Sequence, residues 1–490
     1  MNLAHQLEPS FVFEALADAA KACGVPAYVV GGWVRDLLLG RPTKDIDIVC
    51  VGDGPALAEA YAQRVGDAEV HIFKNFGTAM VKARGIEVEF VGARRESYRA
   101  ESRKPDVAPG TLEDDQRRRD FTINALAISL NAADYGTLLD PFDGQGDLKR
   151  QLLRTPLAPA ETFSDDPLRM MRAVRFAAQL NFDIDADAFE AMQAQASRLQ
   201  IVSMERVLVE FNKMLLVPKP SYGLKLAYYA KLLEQFFPEL VALAGVENQE
   251  GKTHKDNFFH TLEVLDNVAA AGGDLWLRWA ALLHDIAKPA TKRFDKRAGW
   301  TFHGHEDKGA RWVPGIFRRL KLPLDHKMKR VQNLVRMHLR PIALSKVEVT
   351  DSAVRRLMAE AGEDIADLMT LVRADVTTKN PGKAKRYLAN FDAVEQKMAQ
   401  VEEGDRLRNF QPVLTGDDIM AALGLPPSKE VGLIKTEIRE GILDGRVKNN
   451  WADCWAELER LAQQMGLPVV TQLAPPPDPP DQNLAQGLKD

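Results

Sequence analysis

Ala27-Tyr28-Val29-Val30 is a short apolar run that meets Gly31-Gly32, and a helix-like stretch from Val34 to Leu39 follows at once. A strand entering a glycine pair lets the backbone approach a ligand closely, because no Cβ stands in the way. The helix start beyond it offers free N–H groups and a positive dipole end to an anion. Arg35 falls in that first turn, where a guanidinium suits a phosphate. About a dozen residues on, Asp45 and Asp47 stand two apart in a β-branched run, so both carboxylates point to one face of a strand. Two carboxylates beside a phosphate cradle suit Mg²⁺, a hard ion that takes oxygen ligands and keeps substrate phosphates in its shell. The pattern predicts metal-assisted nucleotidyl transfer.

The 490 residues exceed one ordinary core, so several domains are expected. No apolar run reaches membrane-spanning length, and the first residues lack a signal peptide's charged-then-apolar layout. Cys23, Cys50 and Cys454 are scattered and form neither a disulfide framework nor a zinc site, which fits a reducing cytoplasm. A net charge of −5 argues against a protein that is basic all over, yet nucleic acid needs only a local basic face.

Residues 8–23 read as an amphipathic helix that starts at Pro9-Ser10 and stops at Gly24. Strands near 46–51, 70–73, 78–84 and 86–92, with a helix at 55–65, predict an α/β unit. Glu87 and Glu89 share one strand face, and either is a candidate third carboxylate, metal ligand or base; Glu89 is favoured by its place before Ala93-Arg94-Arg95-Glu96. Residues 99–116 read as a polar, mobile connection ending in Arg117-Arg118-Arg119, which suit a triphosphate. Leu139 to Leu148 is a turn-rich closure of the domain. From Phe163 to Ala177 the period becomes helical, with Ser164 as the expected N-cap and Pro167 in the first turn. Arg169, Arg172 and Arg175 line one face, opposite Leu168, Met171 and Val174. A carboxylate accepts from the amino group of cytosine or adenine and a guanidinium donates to ring acceptors, so Asp166 with Arg169 is a candidate base reader without a template.

Gly-Gly-x-Val-Arg-Asp, Asp-x-Asp, Arg-Arg-Asp-Phe-Thr-Ile-Asn-Ala and Asp-Asp-x-x-Arg stand in this order between residue 27 and about residue 180. In these motifs the chain resembles bacterial class II tRNA nucleotidyltransferases, the CCA-adding enzyme and poly(A) polymerase family. The resemblance implies a polymerase beta-like nucleotidyltransferase α/β head, multidomain α/β plus all-α overall, that uses CTP and ATP on tRNA. It implies that Gly32 and Arg35 hold the triphosphate and that Asp45 and Asp47 hold Mg²⁺. It also implies nucleotide contacts from Arg119, Asp120, Asn124, Arg172 and Arg175, with Asp166 and Arg169 selecting C or A. Asp165 stands where the family more often has Glu, and Glu89 where many members have Asp.

A second constellation runs through His254, His260, His284-Asp285, His303, His305, His338 and Asp375. Asp274 is positioned to cap a helix from Leu275 to Lys288 that Pro289 stops. Two polar groups ending an apolar helix call for a ligand, and imidazoles with carboxylates suit a transition-type divalent ion. Such an ion activates water toward a phosphate ester. His260, His284, Asp285 and Asp375 match the His…His-Asp…Asp pattern of the HD phosphohydrolase domain, which this stretch resembles, and His305 with His338 are candidates for a second ion. The alternative is a degenerate domain kept for tRNA contact.

The basic residues of 312–340 and 383–386 suit either a phosphate backbone or a solvated face. Gly416 to Met420, Val431-Gly432 and Gly445 resemble the family's C-terminal segment. The expected boundaries are a head at 1–150, a helical neck at 151–235, an HD domain at 236–400, a helical tRNA-binding region at 401–470 and a disordered tail at 471–490. The expected activity is addition or repair of the tRNA 3′ CCA end by two-metal transfer releasing pyrophosphate. Narrower alternatives are C-C-only or A-only addition or poly(A) synthesis; another is an HD phosphohydrolase carrying a tRNA-binding head.

Overall fold

The computed structural model describes residues 1–473 apart from 44, 75–76, 100–101, 345–349, 379, 410 and 444–445. Residues 474–490, in the expected tail, and Gly445 lie outside the described residues. The chain divides into two compact units, one of Met1–Lys346 with Glu360–Phe391 and one of Val347–Ala359 with Asp392–Asp490.

The first unit begins with a mixed sheet. In chain order its elements are α1 (Ser10–Cys23), β1 (Ala27–Val30), α2 (Gly32–Leu38), β2 (Ile46–Cys50), α3 (Gly54–Val65), β3 (Ala68–Phe73), β4 (Thr78–Ala83), β5 (Ile86–Gly92), β6 (Arg94–Arg99), β7 (Ser102–Pro109), α4 (Leu112–Arg117), β8 (Ala127–Ser129), β9 (Leu138–Leu139) and α5 (Gly144–Arg150). Strand order is β3-β4-β5-β2-β1-β8-β9, with β2 parallel to β5 and the other neighbours antiparallel. Alternation along β2 sends Ile46 and Ile48 into the core and leaves Asp47 on the other face. The core face carries Val29, Ile48, Val81 and Phe90 against Phe13, Leu16, Leu57 and Tyr61 of α1 and α3. Each large apolar side chain buried there contributes roughly 1.5–3 kcal/mol.

The expected mobile connection at 99–116 is instead largely ordered. β6 and β7 form an antiparallel hairpin, and α4 starts in a capping box between Thr111 and Asp114. Thr111 and Asp114 stand three apart, and each side chain satisfies the other's backbone N–H.

The helices that follow are α6 (Pro159–Asp165), α7 (Leu168–Leu180), α8 (Ala186–Gln195), α9 (Met204–Leu215), α10 (Pro220–Tyr229) and α11 (Pro238–Val241). Ser164 does not cap the arginine helix, because it lies inside α6. Pro167 disfavours helical backbone at Asp166, so one helix ends there, and the Asp166 carboxylate accepts from Leu168 N (3.2 Å) as the next begins. α7 packs on α9 and α10.

α12 (Asn257–Ala270), α13 (Leu275–Leu283), α14 (Lys288–Thr291), α15 (His305–Arg319), α16 (His326–Met337), α17 (Arg340–Leu344), α18 (Asp351–Ala361) and α19 (Ile365–Ala374) come next. Asp274 does cap α13, accepting from Leu277 N at 2.8 Å. That helix stops at Leu283 rather than Lys288, and Pro289 sits in the first turn of α14, where its missing N–H costs nothing. Two of the basic residues at 312–340 are structural: Arg319 binds Glu239 and Arg330 binds Asp274 and Asp367.

α20 (Pro381–Asn409) is continuous across the expected boundary at residue 400. In the second unit α21 (Gly416–Leu423), α22 (Lys429–Leu443) and α23 (Trp451–Gln464) enclose a core of Leu414, Ile419, Ile434, Ile438 and Leu458. No described helix is long and apolar enough to cross a membrane.

Candidate active site and metal centre

β1 delivers the chain to Gly31, whose φ of +75° is open to glycine and costly for other residues. A Cβ there would lie 2.9 Å from Arg119 Nη1 and 3.5 Å from an Asp47 oxygen, so the missing side chain leaves room for both groups beside the turn. Register places Asp47 between Val30 on β1 and Glu89 on β5. Glu87, the less favoured candidate, is paired with Lys82 (3.2 Å).

These groups open into a cleft of about 980 Å³ lined by Gly31, Gly32, Arg35, Asp45, Asp47, Arg119, Asp120, Asn124, Asp166, Arg169, Arg172 and Arg175, among others. The residues expected to touch nucleotide are in its wall except Arg117, and Glu89 is outside it as well. Basic side chains in the wall outnumber acidic ones nine to six, in a chain whose net charge is −5. A polyanion fits that local excess.

The arginines are held by partners both close in sequence and from distant elements. Arg35 donates to Asp36 (2.9 Å) and to Asn124 (2.8 Å). Asn124 donates to Asp120 (3.0 Å), and Asp120 receives Arg172 (2.7 Å). Asp115, fully buried, binds Arg118 and Arg119. Glu210 of α9 takes Arg175 at 2.5 Å and lies 3.7 Å from Arg172. The guanidinium groups of Arg35, Arg172 and Arg175 all gather on the Phe176 ring, at 5.0, 5.2 and 3.7 Å from its centroid.

The sequence pattern did not single out Phe176, Glu210 or Asp115. A carboxylate among Val207, Leu208, Phe211 and Met214 was the available signal, since a charge on a buried face demands a partner.

Asp166 and Arg169 do not pair with each other. Asp166 faces Arg206 (3.3 Å), while Arg169 donates to the carbonyls of Thr162 (3.2 Å) and Arg118. Arg169 and Arg175 are buried; Arg172 alone of the three is half-exposed.

Burial pushes the Asp47 carboxyl up to about 6; Glu89, Asp45 and Asp115 add to this against the pull of Arg119. A carboxylate so raised lacks positive charge, which a cation supplies. Asp45, Asp47 and Glu89 do not bring three oxygens within 4.8 Å of one another. Asp45 and Asp47 alone suit Mg²⁺, which is held by one or two carboxylates and substrate phosphates.

Burial opposes ionisation of Asp120, but Arg172 and Asn124 outweigh it and hold its pKa at about 2, below the ordinary 3.8. A depressed acid contributes stability that is complete above the unfolded pKa and lost as pH falls through the folded one. We therefore expect about 2 kcal/mol to vanish between roughly pH 4 and 2. Urea unfolding across that range should show it, and Asp120→Asn should flatten that part of the profile.

A second cluster lies among α12, α13, α15, α16 and the end of α19. His260 Nε2 is 2.9 Å from Asp375 Oδ1, and His284 Nε2 is 3.2 Å from Asp285 Oδ2. His305 and His338 join on the far side of Asp285. The Nδ1 atoms of His284, His305 and His338 each lie 2.7 Å from a backbone carbonyl, of Ala281, Phe302 and Val335. A carbonyl only accepts, so each Nδ1 carries the hydrogen; the neutral His338 then has a bare Nε2, the arrangement that orients metal-binding histidines, while His284 without an ion carries a hydrogen on Nε2 toward Asp285 and Asp375. Burial lowers His284, but Asp285 and Asp375 overcome it and hold its pKa at about 10; burial and the His284 charge keep His338 neutral to about 3. His254 and His303 stay outside: His254 stacks edge-on with Trp300 and Phe302, and His303 is exposed.

A glycine turn facing paired carboxylates on a mixed sheet, inside an arginine-lined cleft, defines a nucleotidyltransferase. Three family models match in chain order: a poly A polymerase head domain over residues 27–154, a probable RNA and SrmB-binding site of polymerase A over 181–243, and an HD domain over 257–379. An A-adding tRNA nucleotidyltransferase of Deinococcus radiodurans is 34% identical over 432 residues, covering 86% of this chain and 92% of that protein. A multifunctional CCA protein of Nitrosococcus oceani is 37% identical over 341 residues, 67% of this chain and 80% of that one. A solved tRNA nucleotidyltransferase with a primer tRNA and an incoming ATP analogue superposes with a TM-score of 0.54 at 26% identity, covering 78% of this chain and 99% of its own. The chain belongs to the tRNA nucleotidyltransferase family.

Proposed function

We propose that this protein adds or repairs the 3′-terminal CCA of tRNA from CTP and ATP. The observation that carries the reading is the single cleft in which Gly31-Gly32, Asp45, Asp47 and the α7 arginines meet. Gly32 and Arg35 face the triphosphate together with Arg119, Asp45 and Asp47 hold Mg²⁺, and Glu89 stands beside Asp47 as a third carboxylate. The ion supplies polarisation of the primer 3′-hydroxyl and screening of the phosphates. Arg172 and Arg175, pinned by Asp120 and Glu210, present donors to the nucleotide, and pre-set donors of this kind need no reorganisation as charge develops. The domains are read as head, neck, HD and C-terminal regions in the expected order, with the last boundary moved from residue 400 to near Phe391, and the three free cysteines accord with a reducing cytoplasm.

Extension of tRNA lacking its CCA end, with Mg²⁺ and each nucleotide alone or paired, tests this. Growth by three nucleotides that needs both CTP and ATP is expected. Growth from ATP only on ends already bearing C-C would establish the narrower reading, favoured by the similarity to the A-adding D. radiodurans protein. Arg169→Ala should free the carbonyls at 118 and 162, loosen the start of α7 and lower discrimination against GTP and UTP about tenfold, since one hydrogen-bonding group is worth about 1–3 kcal/mol of recognition. An unchanged preference would remove that role.

The histidine–aspartate cluster supports a second activity, metal-dependent hydrolysis of a phosphate ester. Release of phosphate from 2′,3′-cyclic or 2′-phosphate ends, lost in His284→Ala, is the expected result.

A further inference from the structure

We propose that the Thr377 hydroxyl, anchored by Lys255, is the positioning group that lets His260 serve as an ion ligand, which deepens the metal-dependent reading of the histidine–aspartate cluster and rests on it. Three imidazoles of that cluster are oriented in one way. The Nδ1 atoms of His284, His305 and His338 each meet the carbonyl three residues earlier in the chain. His260 is held differently. Its Nδ1 lies 2.9 Å from Thr377 Oγ1, across 117 residues and beyond the end of α19. Both residues are buried.

The hydroxyl is itself fixed. Lys255, one residue ahead of the Asp256 that caps α12, sends its Nζ to Thr377 Oγ1 and to the Thr377 carbonyl (3.2 Å). The Lys255 carbonyl in turn meets His254 Nδ1 at 2.7 Å. An ammonium only donates, so Lys255 occupies one lone pair of the hydroxyl and leaves it one lone pair and one hydrogen. Thr377 therefore has the means either to donate to His260 Nδ1 or to accept from it, a choice that no carbonyl offers.

The opposite edge of the His260 ring sets which role is used. Nε2 lies 2.9 Å from Asp375 Oδ1, and an ionised carboxylate only accepts. A neutral ring with no ion bound thus carries its hydrogen on Nε2 and presents a bare Nδ1 to the Thr377 hydroxyl. To take an ion, Nε2 must be bare. One proton then leaves Nε2 and one arrives at Nδ1, the ring stays neutral, and Thr377 accepts the new N–H while Lys255 keeps it in place. His260 is in this way the ligand whose tautomer follows the ion, whereas His284, His305 and His338 carry a hydrogen on Nδ1 in either case.

The test uses the full chain carrying Asp45→Ala and Asp47→Ala, which removes the ion ligands of the head, with Zn²⁺ as the probe because it suits imidazole and carboxylate donors. Ring ¹⁵N resonances of His260 in mildly alkaline buffer, assigned by their loss in His260→Gln, are expected to place the hydrogen on Nε2 before loading and on Nδ1 after it. A hydrogen on Nδ1 in both states would overturn the proposal. Thr377→Val keeps the side-chain volume and removes both roles, so Zn²⁺ binding, read by competition with a chromophoric chelator, should weaken about 10–100-fold. Thr377→Ser should restore it, with thermal melts confirming that both variants are folded. Valine binding as tightly as the parent, or serine as weakly as valine, would overturn the role of the hydroxyl and leave the ion site standing. A parent that binds no Zn²⁺ would overturn the metal reading as well.

Discussion

Asp45→Ala is expected to lower nucleotide addition by on the order of 10³-fold or more, with the melting temperature nearly unchanged. Asp45 is exposed just ahead of β2, so its truncation removes little packing. Surface changes of that kind stay within about 0.5 kcal/mol, a shift of roughly 1–2 °C. The loss falls instead on the chemistry, because a pair of carboxylates is reduced to one and Asp47 alone remains to anchor the ion. Single-turnover primer extension beside a thermal melt separates the two effects. Activity within tenfold of the parent would show that the ion is anchored elsewhere, and a parallel fall in stability would transfer the effect to folding.

Glu210→Ala should act through the opposite balance, with a large cost in stability. Glu210 and Arg175 are both buried, and removing the carboxylate strands a guanidinium in the interior. Breaking one side of a buried ion pair costs about 3–5 kcal/mol, which a calorimetric or denaturant melt would register as a fall of several degrees. Arg172 would keep Asp120 but lose its second anchor, so KM for the incoming nucleotide should rise more than kcat falls. Glu210→Gln keeps an acceptor for the Arg175 N–H and should be milder in both respects. Equal stability in Glu210→Ala and the parent would mean that Arg175 finds another partner.

Much of the head was legible because its signals are local. A β-branched run into Gly31-Gly32 has few other conformations available, and the Asp-x-Asp spacing put Asp47 on β2 with Asp45 one residue ahead of the strand, where both line the cleft. The errors also have local causes. The helix break at Asp166 follows from the proline after it, and Ser164 looked like a cap only while the arginine helix was extended back through that residue. The β6–β7 hairpin was missed because its strands carry charged residues and proline with no apolar alternation.

The sequence by itself determined which groups stand at each short spacing: the glycine turn, the paired aspartates, the arginines every third residue on α7 and the His284-Asp285 step. Only the tertiary structure decided what those groups bind. Arg35 meets Asn124 across 89 residues, Arg175 meets Glu210 across 35, and His260 meets Thr377 across 117. Periodicity set Arg169, Arg172 and Arg175 on one face, yet packing clamped the first on carbonyls, buried the second-neighbour Arg175 on Glu210 and left Arg172 half-exposed. Charge interactions depend on separation and on the water excluded around them, and neither exists until distant elements have packed.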